Sequence, residues 1–197
     1  MPQVQKKEIR ERVLGTALRL FAEEGYQNVT LARISNESNV SVGNIYHYFS
    51  GKSELFDAVF PKELVDEMTL QIKKKIMTGK NHTVSLQRKN LQYILNSEKF
   101  LEYIVKYKYH FQILKHVQGT PYAGMLEQLS EHLSNLVYEK FVKKEDETLK
   151  TALNNLYNGY FELVYRALKM DREDTELLQE LKIIDLYHVS GITAIID

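Results

Sequence analysis

An all-α fold follows from three observations on the sequence. Apolar residues recur at helical spacing along most of the chain. No segment sustains the period-two alternation of a half-buried strand, and only 3 prolines and 9 glycines punctuate 197 residues. The predicted architecture is an N-terminal three-helix unit containing a helix-turn-helix, joined by a long helix to a C-terminal helical bundle. The boundary is set at residue 52, giving segments 1–52 and 53–197. It falls inside the long helix because no shift in composition marks a flexible linker.

The elements are justified in order. Val13, Leu14, Ala17, Leu18, Leu20 and Phe21 form the apolar face of a first helix, and Gly25 ends it, since glycine enters a left-handed cap without steric cost. Thr30 stands at the N-cap of a second helix whose inward anchor is Ile34. Glu37-Ser38-Asn39 makes the turn, asparagine tolerating positive φ best after glycine. Ser41 caps a third helix with Ile45 and Phe49 facing the core; Ser41, Val42, Asn44, His47 and Tyr48 lie largely on other faces.

From Lys52 to about Met77 the pattern is one long amphipathic helix, interrupted only by Pro61. Pro61 reads equally as a hinge within that helix and as the start of a separate one. A loop at Thr78–Asn81 precedes a helix over about Thr83–Leu95, with Asn96 and Ser97 as capping residues of the next. Phe100, Ile104, Tyr107, Phe111 and Leu114 make a helical stripe. Gly119-Thr120-Pro121 is a stop and restart, with Thr120 as cap and Pro121 in the first helical position, for a helix running to about Val142. Residues 143–147 form a charged connector or exposed first turn, and two last helices fill about Thr148–Lys169 and Thr175 onward.

Gly25-Tyr26, Thr30, Ile34, the run Val40 to Phe49, and Lys52-Ser53-Glu54-Leu55 together resemble the DNA-binding domain of the TetR/AcrR family of bacterial transcriptional regulators. This ordered set covers about the first quarter of the chain and is far more specific than any one short motif. Ser38-Asn39 stands where the family usually has Ala-Gly, and Ser35 where Ala is usual. The resemblance implies a homodimeric, ligand-responsive regulator, most simply a repressor on a near-palindromic double-stranded DNA operator, released by a small-molecule effector. The competing class is a small-molecule binding or interaction protein with a vestigial helix-turn-helix, favoured by the weak basicity.

Composition narrows the classes. Hydrophobic residues make up 44% and charged residues 26%, as in an ordinary globular protein. With 0 cysteines there is no disulfide framework and no thiolate metal site. No apolar run approaches the roughly 20 residues that span a bilayer, and the polar N-terminus is unlike a signal peptide. A cytoplasmic protein with no membrane partner is expected. The net charge of +0 argues against nonspecific coating of DNA but not against a local patch. Lys6, Lys7, Arg10, Arg12, Arg33 and Lys52 supply that patch, tempered by Glu8, Glu11, Glu23, Glu24 and Glu37.

Asn44 is the best candidate for direct base reading, because its amide can make two hydrogen bonds to adenine. Ser41, Val42, Gly43 and His47 complete the groove-facing set, Gly43 permitting close backbone approach. The resemblance implies phosphate contacts by Tyr46, Tyr48 and Lys52, and Thr30 can add one from a helix N-terminus. Against this, Tyr46 can instead pack between helices, and Thr30 can serve only as a cap.

The central aromatics, including Tyr93, are mostly core by spacing. The resemblance implies that some line an effector pocket, with Phe100, Tyr103, Tyr107, Phe111, Tyr122, Tyr157 and Phe161 as candidates. Lys106, Lys108, Lys115, Glu102, Glu127 and Glu162 leave the effector's charge open. The helix over Thr148–Lys169 is apolar on two sides, one stripe more than a single core needs. Leu153, Leu156, Gly159, Tyr160, Leu181 and Ile184 are therefore expected in a four-helix dimer interface; the alternative is a central buried helix in a monomer. No catalytic constellation, cofactor motif or metal site is read: His110 and His116 lack a ligand spacing, and His82 is placed in a loop.

Overall fold

The computed structural model describes residues 3–77, 91–142 and 145–196; the side chains of 3–5, 75–77 and 91–97 are excepted. The expected loop at Thr78–Asn81, the helix start near Thr83, His82, the Tyr93 ring and residues 143–144 lie outside these. Among the described residues the secondary structure is entirely helical. The helices are α1 (Gln3–Glu24), α2 (Leu31–Ser38), α3 (Val42–Tyr46), α4 (Lys52–Val59), α5 (Lys62–Met77), α6 (Leu91–Lys106), α7 (Lys108–Ile113), α8 (Met125–Phe141), α9 (Glu147–Lys169) and α10 (Asp174–Ile196).

The chain forms two compact units. The first comprises Met1–Glu67 and Tyr109–Ala123; the second comprises Met68–Lys108 and Gly124–Asp197. The unit that holds the helix-turn-helix thus runs past the expected boundary at residue 52 and takes in a later segment. The chain passes between units three times, within α5, at the start of α7 and just before α8.

In the first unit α1 packs against α2 and α4. Val13, Ala17, Leu20 and Phe21 of α1, Ile34 of α2, Ile45 and Phe49 around α3, and Leu55, Phe56 and Phe60 around α4 are buried together as one core. Phe21, Tyr26 and Phe56 meet ring to ring, with centroids 4.9 to 5.9 Å apart. The expected long helix from Lys52 is divided: α4 stops at Val59, Phe60 leaves helical geometry (φ −127°, ψ 64°), and α5 restarts after Pro61. The reason is local. Pro61 has no N–H to continue the α4 ladder, and it disfavours helical geometry in the residue before it. Its carbonyl then accepts from Val65 at 3.2 Å, as the residue before a helix does.

In the second unit α9 packs between α8 and α10, and α10 also meets α6. Two sequence expectations fail here. Asn96 and Ser97 lie inside α6 rather than at a cap, because the helical apolar pattern on both sides outweighs their local turn preference. The helix expected at Pro121 begins at Met125: Thr120 closes a turn, donating from its hydroxyl to Val117 O at 2.7 Å and accepting from Tyr122 N at 3.2 Å. Gly124, at φ 77°, is the actual junction.

Candidate DNA-binding site

Short-range chemistry builds the helix-turn-helix. Gly25 ends α1 with φ 83° and donates to Phe21 O at 3.1 Å. Thr30 Oγ1 accepts from Arg33 N at 3.1 Å and so satisfies one of the open donors at the start of α2. Asn39 takes the left-handed conformation (φ 52°, ψ 38°), so its amide-bearing side chain does the work of the more usual glycine. Ser41 Oγ accepts from Asn44 N at 3.2 Å and starts α3. Two buried anchors, Ile45 and Phe49, then fix which side of α3 faces the core.

The opposite side is exposed. Ser41, Gly43, Tyr46 and His47 face solvent, and Val42, Asn44 and Tyr48 are half-buried. Tyr46 is 55% exposed, so its ring is not packed between helices. A Cβ on Gly43 would meet nothing within 4 Å, so the chain's own packing does not require glycine there. The open space leaves that backbone accessible to an approaching surface.

The basic residues divide into two groups. Arg33 bridges Glu24 at 3.3 Å and Glu37 at 2.9 Å, while Arg19 bridges Glu23 at 3.0 Å and Glu37 at 2.9 Å. This network crosses between α1 and α2 and engages Arg33 within the chain. Its neighbours Glu23 and Glu37 hold the Arg19 guanidinium above its ordinary pKa, against the opposing effect of burial. Lys6, Lys7, Arg10 and Arg12 of α1 are exposed, and Arg10 lies 5.4 Å over the Phe49 ring, beside α3.

Lys52, half-buried at the start of α4, turns its ammonium toward the loop after α1. Its ammonium donates to Tyr26 O at 2.8 Å, Val29 O at 2.9 Å and Gln27 O at 3.4 Å. Burial lowers its pKa from the ordinary lysine value.

The candidate effector residues divide between the two units. Phe111 and Tyr122 belong to the first unit, where the Tyr122 ring meets Phe60 edge-on at 5.5 Å. The other five belong to the second: Phe100 and Tyr157 are buried, while Tyr103, Tyr107 and Phe161 are half-buried. The surface depression outlined at the start of α9 is lined by Glu147, Thr148, Thr151, Ala152 and Asn155, and by no member of this set. Sequence reasoning passed over Asp185 and His188. Asp185 is buried and accepts from the Tyr160 hydroxyl at 3.1 Å; the His188 ring lies 4.4 Å from that of Tyr160 and 4.8 Å from that of Tyr157. The available signal was Asp185 itself, an acid four residues after Leu181 on the inward face of α10.

The expected interface residues are also corrected in part. Leu153, Tyr160 and Leu181 are buried within the second unit, so they pack its core. Leu156 and Ile184 are half-buried, and Gly159 is exposed with nothing within 4 Å of a built Cβ. Among the large apolar side chains left exposed are Leu163 on α9 and Ile183, Leu186, Tyr187 and Ile195 on α10. Periodicity marks apolar stripes but does not say which stripe the chain's own core takes.

A capped helix-turn-helix with a polar, outward second helix, followed by a helical domain, defines a DNA-binding transcriptional regulator. Residues 13–59 match the sequence pattern of the TetR family of bacterial regulatory proteins. It is 27% identical over 158 residues to the transposon Tn10 TetC protein of Escherichia coli, covering 79% of this chain and 77% of that one. It is 23% identical over 180 residues to the HTH-type transcriptional regulator SAS2464 of Staphylococcus aureus strain MSSA476, covering 81% and 96%. The fold is shared with a TetR-like transcriptional regulator from Rhodococcus sp. RHA1, at a TM-score of 0.51 and 17% identity over 97% of this chain and 99% of that one. Among the described residues no helix is long and apolar enough to cross a membrane.

Proposed function

We propose that the protein is a dimeric repressor that reads a near-palindromic operator with α3 and releases it when a small molecule binds the second unit. The observation that carries the reading is the outward face of α3. Ile45 and Phe49 hold that helix from behind, while Ser41, Gly43, Asn44, Tyr46 and His47 stand toward solvent or at the rim. Asn44 is the base reader, with Ser41, Val42, Gly43 and His47 beside it. Tyr46, Tyr48 and Thr30 contact phosphate and set the register.

The exposed stripe of Ile183, Leu186 and Tyr187 on α10, with Gly159 and Leu163 on α9, supports an isologous interface between two copies. Such a dimer presents two α3 helices to half-sites about one helical turn, or a multiple of it, apart. A dimer seated across an operator obstructs transcription by occupancy, which makes repression the simplest action. The effector contacts belong to the aromatic set of the second unit, Phe100, Tyr103, Tyr107, Tyr157 and Phe161, with the Tyr160–Asp185 pair as a polar group among them. Rearrangement there would reach the first unit along the three chain crossings. Within that unit, the segment 109–123 bonds the loop after α1, His116 O accepting from Tyr26 N at 3.3 Å. An effector shifts the spacing of the two α3 helices only as far as its affinity differs between the two states.

The test is selection from a randomised duplex pool with the full-length protein, followed by binding of the enriched duplex to wild type and to Asn44→Ala. Enrichment of an inverted repeat, with loss of preference in the variant, is the expected outcome. No enrichment at moderate salt rejects the reading.

A further inference from the structure

The inward stripe of α10 runs through Leu181, Asp185, His188 and Ile192. Leu181 and Ile192 suit an apolar core. Asp185 stands between them at 4% exposure, where a leucine would pack without the cost of desolvating a charge. Its carboxylate accepts from the Tyr160 hydroxyl of α9 at 3.1 Å. One turn further along α10, the His188 ring lies 4.4 Å from the Tyr160 ring and meets the Tyr157 ring edge-on at 4.8 Å. Tyr157 and Tyr160 are both buried.

Two more polar atoms are buried in this unit with no hydrogen-bond partner among the described residues: Asn154 Oδ1 of α9 and Ser130 Oγ of α8. Asn154 lies one turn before Tyr157, on the same side of α9. The bond from Asp146 N to the Tyr138 hydroxyl ties the start of α9 to the end of α8. Equal steps along the two helices from that bond bring Ser130 to the level of Asn154. The polar inventory of this layer is one-sided. A carboxylate only accepts, with about four lone-pair sites, and an amide oxygen accepts as well. The tyrosine ring faces are electron-rich, and the serine hydroxyl turns either way. A positive charge that carries N–H donors on a flat apolar body complements such a layer.

We infer that the layer of Ser130, Asn154, Tyr157, Tyr160 and Asp185 binds an organic cation, an amidinium or protonated amine joined to an aromatic or other flat apolar group. The ring faces hold the flat body and its charge. Asp185 takes the N–H donors in a charge-assisted pair, and Asn154 Oδ1 accepts another. Because the rings pack against one another, the ligand enters by parting His188 from Tyr160 and selects that arrangement by binding it. The regulatory meaning of the site rests on the reading of the second unit as the effector-binding part; the site itself is observable without DNA.

The experiment titrates the full-length, DNA-free protein with three probes of one shape: benzamidine, a cation; benzamide, which is neutral; and benzoate, an anion. Nuclear magnetic resonance follows the ring signals of Tyr157, Tyr160 and His188. Benzamidine is expected to move these signals and to bind at least about 10-fold more tightly than either of the others. Asp185→Asn keeps the shape and removes the charge, and should bring benzamidine to within about 2-fold of benzamide. Asn154→Leu should weaken benzamidine several-fold. If Asp185→Asn does not fold, Asn154→Leu and the three wild-type affinities carry the comparison.

Equal binding of the three probes, tighter binding of benzoate, or benzamidine binding that Asp185→Asn leaves intact overturns the proposal. So does the absence of benzamidine binding at about 10 mM, beyond the weakest useful affinity. Release of the enriched duplex is a separate reading. Benzamidine bound through Asp185 with the duplex retained would uphold the cation site and reject its role as the effector site. If wild type enriches no duplex, the DNA reading fails, and the probe titration still decides the site.

Discussion

Helix α3 and helix α10 both expose side chains that a lone helical bundle does not need, and the two faces are opposite in character. Around α3 the exposed groups are polar or polar-tipped: Ser41, Tyr46 and His47, beside the open backbone of Gly43. On α10 they are apolar, with Ile183 69%, Leu186 68% and Tyr187 72% exposed. A polar, hydrogen-bonding face on a short rigid helix suits base edges and phosphates. A contiguous apolar face suits another protein surface, and the proposed dimer would cover it with a second copy. One molecule thus carries two unsatisfied faces whose chemistry separates their partners.

The comparison is broken most forcefully along α10. Leu181, 1% exposed, and Ile183 lie two residues apart on one helix and face nearly opposite ways. Leu181→Ala should cost about 2–5 kcal/mol of stability, as core truncations do, seen as a lowered midpoint in denaturant unfolding. Ile183→Glu should leave each protomer folded but shift sedimentation from dimer to monomer. A dimer untouched by Ile183→Glu would move the interface off this face.

On the α3 side, Asn44→Ala should cost about 1–3 kcal/mol of discrimination between the enriched and random duplexes. Competition titration measures that ratio. The caps come next. Thr30→Ala should destabilise by about 1 kcal/mol, and thermal melting of the protein without DNA would show it.

The smallest effect concerns His110, which stacks on Phe60 at 6.4 Å. Burial lowers its pKa below the ordinary 6.5, partly opposed by its hydrogen bond to the Val59 backbone. The folded state therefore resists protonation at a pH where the unfolded chain already accepts the proton. The stability His110 contributes is complete above about pH 6.5 and is lost as pH falls toward its folded pKa. A His110→Gln variant should show a shallower loss of stability between neutral and mildly acidic pH.

Legibility differed between the two units for physical reasons. In the first, local chemistry determines geometry: Gly25, Thr30, Asn39 and Ser41 each have one dominant backbone role, and each performs it. The bounds of α9 and α10 were likewise readable, because long amphipathic patterns end at charged or capping residues such as Asp146, which accepts from Leu149 N at 2.9 Å. Asn96-Ser97 and Thr120-Pro121 misled because their turn preference is weak against the surrounding helix or already spent in a turn. Pro61 divided a pattern that remained amphipathic on both sides. Lys52 was unreadable for a different reason. Its bonds to three carbonyls of the loop after α1 join residues 23 to 26 positions apart, and no local pattern in the sequence marks them. The same holds for Leu153, Tyr160 and Leu181, whose apolar spacing fits either an internal core or a shared interface.

The most direct test of the two-face account is a competition titration of the full-length protein against the enriched duplex, a single half-site of it and a random duplex at one fixed moderate salt concentration. The account predicts a preference of at least about 10³ for the enriched over the random duplex, falling sharply on the half-site because only one α3 can then read. Equal affinity for all three duplexes would contradict it.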